Sequence, residues 1–149
     1  MRVKLTRDNY IERNAMPAQL PEVSGSFGEI PEITFPETPA PKGLHIKVLE
    51  KGTGPTVTAG RELQANYHGM IWGGDVFDSS FQRGEPATFP IGVGAVIAGW
   101  DQGIPGKNVG SRLLISIPPE KGYGPAGQPA AGIGGTDTLV FVVDLVGVR

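Results

Sequence analysis

Cysteine is absent from this chain, and only two histidines, His45 and His68, occur in its 149 residues. No disulfide, thiol nucleophile or thiolate zinc site can therefore form. Two histidines without ligand spacing make a transition-metal site unexpected, and no cofactor is expected. A surplus of basic residues is missing too: 13 Lys and Arg stand against 15 Asp and Glu, a formal net charge of -2. A nucleic-acid partner is not expected, since it would call for a basic face or a binding motif. No apolar run approaches the roughly 20 residues that span a bilayer. Met1 to Asp8 has neither an apolar core nor a small-residue cleavage site, so a cytoplasmic protein with no membrane partner is expected.

Glycine (23) and proline (14) are abundant, together about a quarter of the chain, a level at which disorder competes with folding. Against disorder stand several clear apolar runs, and the length suits one domain of ordinary size. Residues 1–42 hold six prolines and scattered charge. Proline holds itself and its predecessor extended, so this part reads as a flexible leader whose last dozen residues lie along the domain. A weak helical turn over Leu5 to Arg13 is conceivable on pattern alone. The domain itself is expected over 43–149.

Within it, Leu44 to Glu50 alternates and predicts a first strand. Arg61 to Ile71 alternates cleanly, with Leu63, Ala65, Tyr67 and Gly69 on one face and Glu62, Gln64, Asn66 and His68 on the other. That predicts a half-buried strand with Tyr67 inside and His68 in solvent. His45 reads as solvent-facing in the same way. Val76 to Ser79 and Ala87 to Ile91 are short strands, the second with Phe89 as its one large side chain. Ala95 to Gly103 is the one convincing helix, with Ile97, Trp100 and Ile104 on a single stripe. Arg112 to Ile117 turns Leu113, Ile115 and Ile117 inward. After a Gly- and Pro-rich loop from Pro118 to Asp137, Thr138 to Val148 reads as a central strand. The fold class is α+β: a five- to six-stranded antiparallel sheet wrapped around one short α-helix.

Aromatic residues are scarce, 7% of the chain, which makes their gathering between Tyr67 and Trp100 informative. That stretch contains Tyr67, Phe77, Phe89 and Trp100, with Asp78 and Arg83 among them. Rings around a single acid suit a small apolar ligand cavity with a few fixed polar groups rather than a hydrolytic or redox site. Asp78-Ser79-Ser80 is also good turn chemistry, and Trp100 taken alone is an ordinary core residue. Tyr123, isolated between glycines in a loop, is harder to explain by packing.

Six segments in order resemble the FKBP-type peptidyl-prolyl cis-trans isomerases over residues 43–148. They are Val76-Phe77-Asp78-Ser79-Ser80, Arg83-Gly84-Glu85-Pro86, Val96-Ile97-Ala98-Gly99-Trp100-Asp101, Val109-Gly110-Ser111-Arg112, Ile117 through Gly124, and Thr138 through Leu145. The resemblance implies a sheet curled around the short helix, with a substrate prolyl ring held between them. It implies Trp100 as the floor and Tyr67, Phe77, Val96, Ile97 and Phe141 as walls, with Tyr123 a hydroxyl donor at the rim. Asp78 would lie beside the reacting amide, bonded to Tyr67 and near Arg83, so that Asp78, Tyr123 and Phe77 are the implied catalytic residues. The Ile97 N–H would bond a substrate carbonyl. The implied partners are proline-containing peptides or unfolded protein clients, and macrolide inhibitors such as tacrolimus or rapamycin. A monomer is the default for such a domain. An alternative reading is a weakly active binding module for proline-containing partners.

The chain departs from the family pattern at Ala87, where relatives often carry a second wall aromatic. It departs again at Gly124 to Gly135, where Gln128 replaces a common histidine and Ile133 is the one large side chain. These departures imply a wider, less apolar rim, and they bear on macrolide affinity and on preference for a bulky residue before proline.

Overall fold

The computed structural model describes residues 19–149. Among them eight strands and two short α-helices follow in order: β1 (Glu22–Ser24), β2 (Glu32–Thr34), β3 (His45–Glu50), β4 (Glu62–Ile71), β5 (Val76–Ser79), α1 (Ser80–Arg83), β6 (Ala87–Pro90), α2 (Ala98–Gly103), β7 (Arg112–Ile117) and β8 (Leu139–Val148). Strands β3 to β8 form one antiparallel sheet in the order β3-β7-β8-β4-β5, with β6 also paired to β4. The sheet has six strands, within the five to six expected around a short helix.

The pleat divides the central strands into two sets of rows. Tyr67 pairs with Val143 and Val143 with Leu113; Gly69 pairs with Phe141 and Phe141 with Ile115; Ile71 pairs with Leu139 and Leu139 with Ile117. This face packs with Trp100 of α2 and with Ile104, which follows the helix, in the main core. Helix α2 lies close to the sheet because it has glycine where it touches: a Cβ on Gly99 would come within 2.7 Å of the Ile117 side chain. The helix begins at Ala98, not at Ala95 as the pattern predicts, because Ile97 is extended (φ -60°, ψ 150°) and caps it. A single helical turn, α1, occupies what reads in sequence as a bare turn, and Gly84 ends it in the left-handed conformation (φ 81°).

The opposite face differs most from expectation. Part of the region expected to be a flexible leader forms a hairpin, with Glu22 paired to Thr34, Val23 to Ile33 and Ser24 to Glu32. Leu20, Val23, Ile33 and Phe35 cover Leu114, Val140 and Val142, together with Leu49 and Trp72. The cause is an apolar face on the hairpin that proline-rich flanks obscure in sequence. Residues 1–18, with the turn expected over Leu5 to Arg13, lie outside the described residues. Because the sheet is covered on this side too, all six residues of β7 are buried, not only the three predicted to point inward.

His68 is a second correction. It sits in the row with Val142, faces the covered side, and is 6% exposed rather than solvated. Its Nδ1 lies 2.9 Å from the Ser79 hydroxyl, and burial lowers its pKa below the ordinary 6.5. His45 is only partly exposed, and its Nε2 lies 2.7 Å from the Lys42 carbonyl.

In the same row as Asn66, the side chains of Asp144 and Arg112 are both 0% exposed. Arg112 donates two bonds to the carboxylate, Nε to Oδ1 at 2.7 Å and Nη2 to Oδ2 at 2.9 Å. The hairpin turn supplies what the pair still needs. Arg112 also donates to the Gly25 and Glu29 carbonyls, and the Gly28 N–H donates to Asp144 Oδ2. Removing one member of such a pair leaves a buried charge with no partner. Asp144→Ala should therefore lower unfolding free energy by about 3–5 kcal/mol in chemical denaturation; a loss within error of zero would show the pair to be dispensable. For His68, the unfolded chain binds a proton near 6.5 while the native chain resists it. Stability from this residue is complete above pH 6.5 and is lost as pH falls below that value toward the lowered native pKa. The denaturation midpoint should drop between pH 7.5 and 5.5, and drop less in His68→Gln; equal slopes would contradict a neutral buried imidazole.

Candidate active site

The inner face of the sheet and α2 enclose a cavity of about 420 Å³, within the usual range for small-molecule sites. Its floor is Trp100, 5% exposed. Around that indole stand Tyr67 (centroids 5.2 Å apart, planes at 78°), Phe141 (5.1 Å, 84°) and Phe89 (5.2 Å, 50°). Phe77 meets Phe141 edge-on at 5.4 Å. Edge-to-face contacts of this kind are favourable beyond the area they bury. Gly69 makes room for them, since a Cβ there would lie 2.7 Å from the Phe141 ring and 2.9 Å from the Phe77 ring. The Trp100 Nε1–H at this floor has no protein acceptor among the described residues.

The wall carrying Asp78 is fixed by an arrangement at the edge of β4. Strand β6 pairs with residues 62–65 of β4, and β5 with residues 68–70. Asn66 and Tyr67 fall between the two. Here the buried Ser80 hydroxyl stands in for a strand: it accepts the Tyr67 N–H at 2.8 Å and donates to Asn66 Oδ1 at 2.9 Å. This ties α1, and with it Arg83, to Tyr67.

A closed set of polar contacts results. The Tyr67 hydroxyl donates to Asp78 Oδ2 at 2.7 Å, Arg83 Nη1 donates to Asp78 Oδ1 at 2.6 Å, and Arg83 Nη2 donates to the Tyr67 oxygen at 2.7 Å. Both carboxylate oxygens are thus engaged. Arg83 is half exposed, so its charge is screened and its bonds hold geometry more than they add stability. The pKa of the Arg83 guanidinium is raised further by its bond to Asp78. Burial, then the bond to Asp78, raises the Tyr67 phenol above 10.0; burial, then the Asp78 charge, does the same for Tyr123. Both phenols keep their protons at neutral pH and can donate.

Tyr67, Phe77, Asp78, Val96, Ile97, Trp100, Tyr123 and Phe141, all singled out in the sequence, line the cavity. Arg83 does not; it reaches the site through Asp78 and Tyr67. The sequence reading treats Ala87 as a wall position lacking its usual aromatic and gives Phe89 no named role in the site; Gly94 and Ala95 it does not assign, yet all four line the cavity. Phe89 could have been found from its pairing opposite the inward Leu63. In the loop after Tyr123, Ile133 turns into the main core at 3% exposure. Tyr123 is therefore the one cavity-lining residue from the segment between β7 and β8.

Comparison with known proteins agrees with this geometry. Residues 54–146 match the family model for FKBP-type peptidyl-prolyl cis-trans isomerase. An FK506-binding protein from Streptomyces anulatus is 42% identical over 121 residues, covering 80% of this chain and 98% of that one. The peptidyl-prolyl cis-trans isomerase Mip from Coxiella burnetii is 41% identical over 107 residues, covering 72% of this chain and 45% of that protein. The crystal structure of AtFKBP13 superposes with a TM-score of 0.67 at 39% identity, over 73% of this chain and 95% of that one. With most of its domain matched in sequence and in fold, the chain belongs to the FKBP-type peptidyl-prolyl cis-trans isomerase family.

Proposed function

We propose that the prolyl ring of a substrate rests on Trp100, with the X-Pro amide beside Asp78 and the Tyr123 hydroxyl donating to a substrate carbonyl. The chain is a peptidyl-prolyl cis-trans isomerase by family, so what remains is how these residues perform the rotation. The observation that carries the assignment is an aromatic cavity whose only carboxylate has both oxygens engaged by Tyr67 and Arg83.

Rotation about an X-Pro bond faces a barrier of about 18–20 kcal/mol from amide resonance, while cis and trans differ by only about 0.5–1 kcal/mol. Resonance places negative charge on the carbonyl oxygen, and the twisted transition state loses that charge separation. An aromatic cavity from which the bound substrate displaces water disfavours the planar, charge-separated form relative to the twisted one. Contacts with the ring and its neighbours then supply binding energy that is realised in the twisted form. No bond to the protein is made or broken. Tied to Tyr67 and Arg83, Asp78 serves as a fixed charge at the cavity wall and not as a proton carrier. The Ile97 N–H, unclaimed by any backbone carbonyl among the described residues, is available to a second substrate carbonyl.

The substrates fitting this site are exposed proline-containing segments of unfolded or folding chains. FK506-type macrolides fit the same aromatic cavity, with Ala87, Gly94 and Ala95 leaving one wall open to bulky groups.

The test is a protease-coupled isomerisation assay on X-Pro tetrapeptides, with thermal melts to establish folding. Tyr123→Phe removes one hydrogen bond and should lower kcat/KM about fivefold. Asp78→Val removes the charge and strands two donors, and should lower it about tenfold or more. Wild-type rates in both folded variants would remove these residues from the mechanism.

A further inference from the structure

We infer that Asp101 is a positioning residue for the loop wall of the cavity, acting through the amides of Gly92 and Gly94. The inference rests on the reading of the cavity as the isomerase site. Residues 92–97 connect β6 to α2 with no regular structure, yet Gly94, Ala95, Val96 and Ile97 all line the cavity. Such a loop, with no polar side chain of its own, needs an outside anchor to serve as a wall.

Asp101 provides it at both ends. Its carboxylate accepts the Gly92 N–H at Oδ1 (2.6 Å) and the Gly94 N–H at Oδ2 (2.9 Å). Its own N–H donates to the Ile97 carbonyl at 3.2 Å. Among the described residues, no backbone carbonyl accepts an N–H from residues 92–97. The two glycines are left-handed (φ 82° and 80°), which turns alternate amides toward one anion. Gly92 is also pressed on Ala59, where an added Cβ would lie 2.6 Å from the Ala59 Cβ. The loop is thus trapped between Ala59 and the carboxylate.

Asp101 does not line the cavity, so it acts through the residues it holds. It follows Trp100 on α2. Floor and loop wall are therefore fixed to consecutive residues of one helix, and the spacing between Trp100 and Val96–Ile97 is set from a single point. An acid in the first turn also favours the helix dipole, but that effect alone would change stability and leave substrate binding unaltered.

The experiment compares wild type with Asp101→Ala, Asp101→Asn and Asp101→Glu. Asparagine keeps the shape but must turn its NH₂ toward one glycine N–H, and glutamate keeps two acceptor oxygens. In the isomerase assay, Asp101→Asn and Asp101→Ala should raise KM about five- to tenfold, the equivalent of one or two lost hydrogen bonds, with kcat changed less than twofold. Asp101→Glu should restore most of the loss. NMR should show faster amide exchange at Gly92 and Gly94 in the Asn and Ala variants, and titration with a proline peptide should show the same weakening in Kd whether or not turnover is observed. If Asp101→Ala does not fold, the near-isosteric Asn variant decides. Unchanged KM and Kd in a folded Asn variant would overturn the inference while leaving the cavity assignment intact. A wild type that binds no proline peptide would overturn both. Equal losses in Glu and Ala variants would count against the carboxylate and overturn the inference alone.

Discussion

At the middle of the sheet lies an ion pair with no access to water. Arg112 and Asp144 face each other across β7 and β8 in the row that begins at Asn66. Successive residues of a strand point to opposite faces, so a slip of one residue would move the pair into the core occupied by Trp100, Phe141 and Leu145. Burying charge there without partners would be costly. The pair therefore fixes register, and register places Tyr67, Gly69 and Phe141 together on the cavity side. It holds only because the hairpin turn supplies two carbonyls and an amide. The Arg112 guanidinium also lies 5.9 Å from the Phe81 ring, in the helical turn that carries Arg83. A contact on the far face of the sheet thus reaches the wall of the site.

The site itself follows from few requirements. It must exclude water when occupied, be shaped for a small puckered five-membered ring, and be polar at chosen points only. Aromatic edges meet the first two, and Gly69 and Gly99 let rings and helix come close enough to form them. Polarity is confined by pairing: Asp78 is held by Tyr67 and Arg83, and the N–H groups of Gly92 and Gly94 by Asp101. Tyr123, 39% exposed, remains as a protonated donor at the opening. No nucleophile is needed where the barrier is resonance alone.

Strand alternation made the central sheet legible, since Tyr67, Phe141, Leu113 and Ile115 all fall where their period places them. The eight lining residues named from sequence came from motif resemblance joined to that period. What alternation cannot tell is whether the second face is covered. His68 reads as solvent-facing and Leu114 as outward in the strand pattern, yet both are buried, Leu114 beneath the hairpin. Its signal is hidden because Val23 and Ile33 lie in runs of three strand residues, too short for a period to show, between Pro21 and Pro36. The first half of the loop wall escapes the sequence for a different reason. Gly94 and Ala95 carry no chemical mark, and their place depends on a carboxylate seven and six positions later in the chain.

An open cavity is a structural liability. At about 420 Å³, it leaves the aromatic side chains that line it without the contacts a closed core would give them. Closing the cavity with larger side chains would recover those contacts and abolish binding. The chain instead gains burial where it does not compete with function, on the outer face of the same strands. Phe35 packs on Trp72 at 5.3 Å there, and Leu114, Val140 and Val142 are 0% exposed beneath the hairpin. Strands β7 and β8 are consequently held from both sides, which lets their inner face stay open to a ligand without the sheet losing its register.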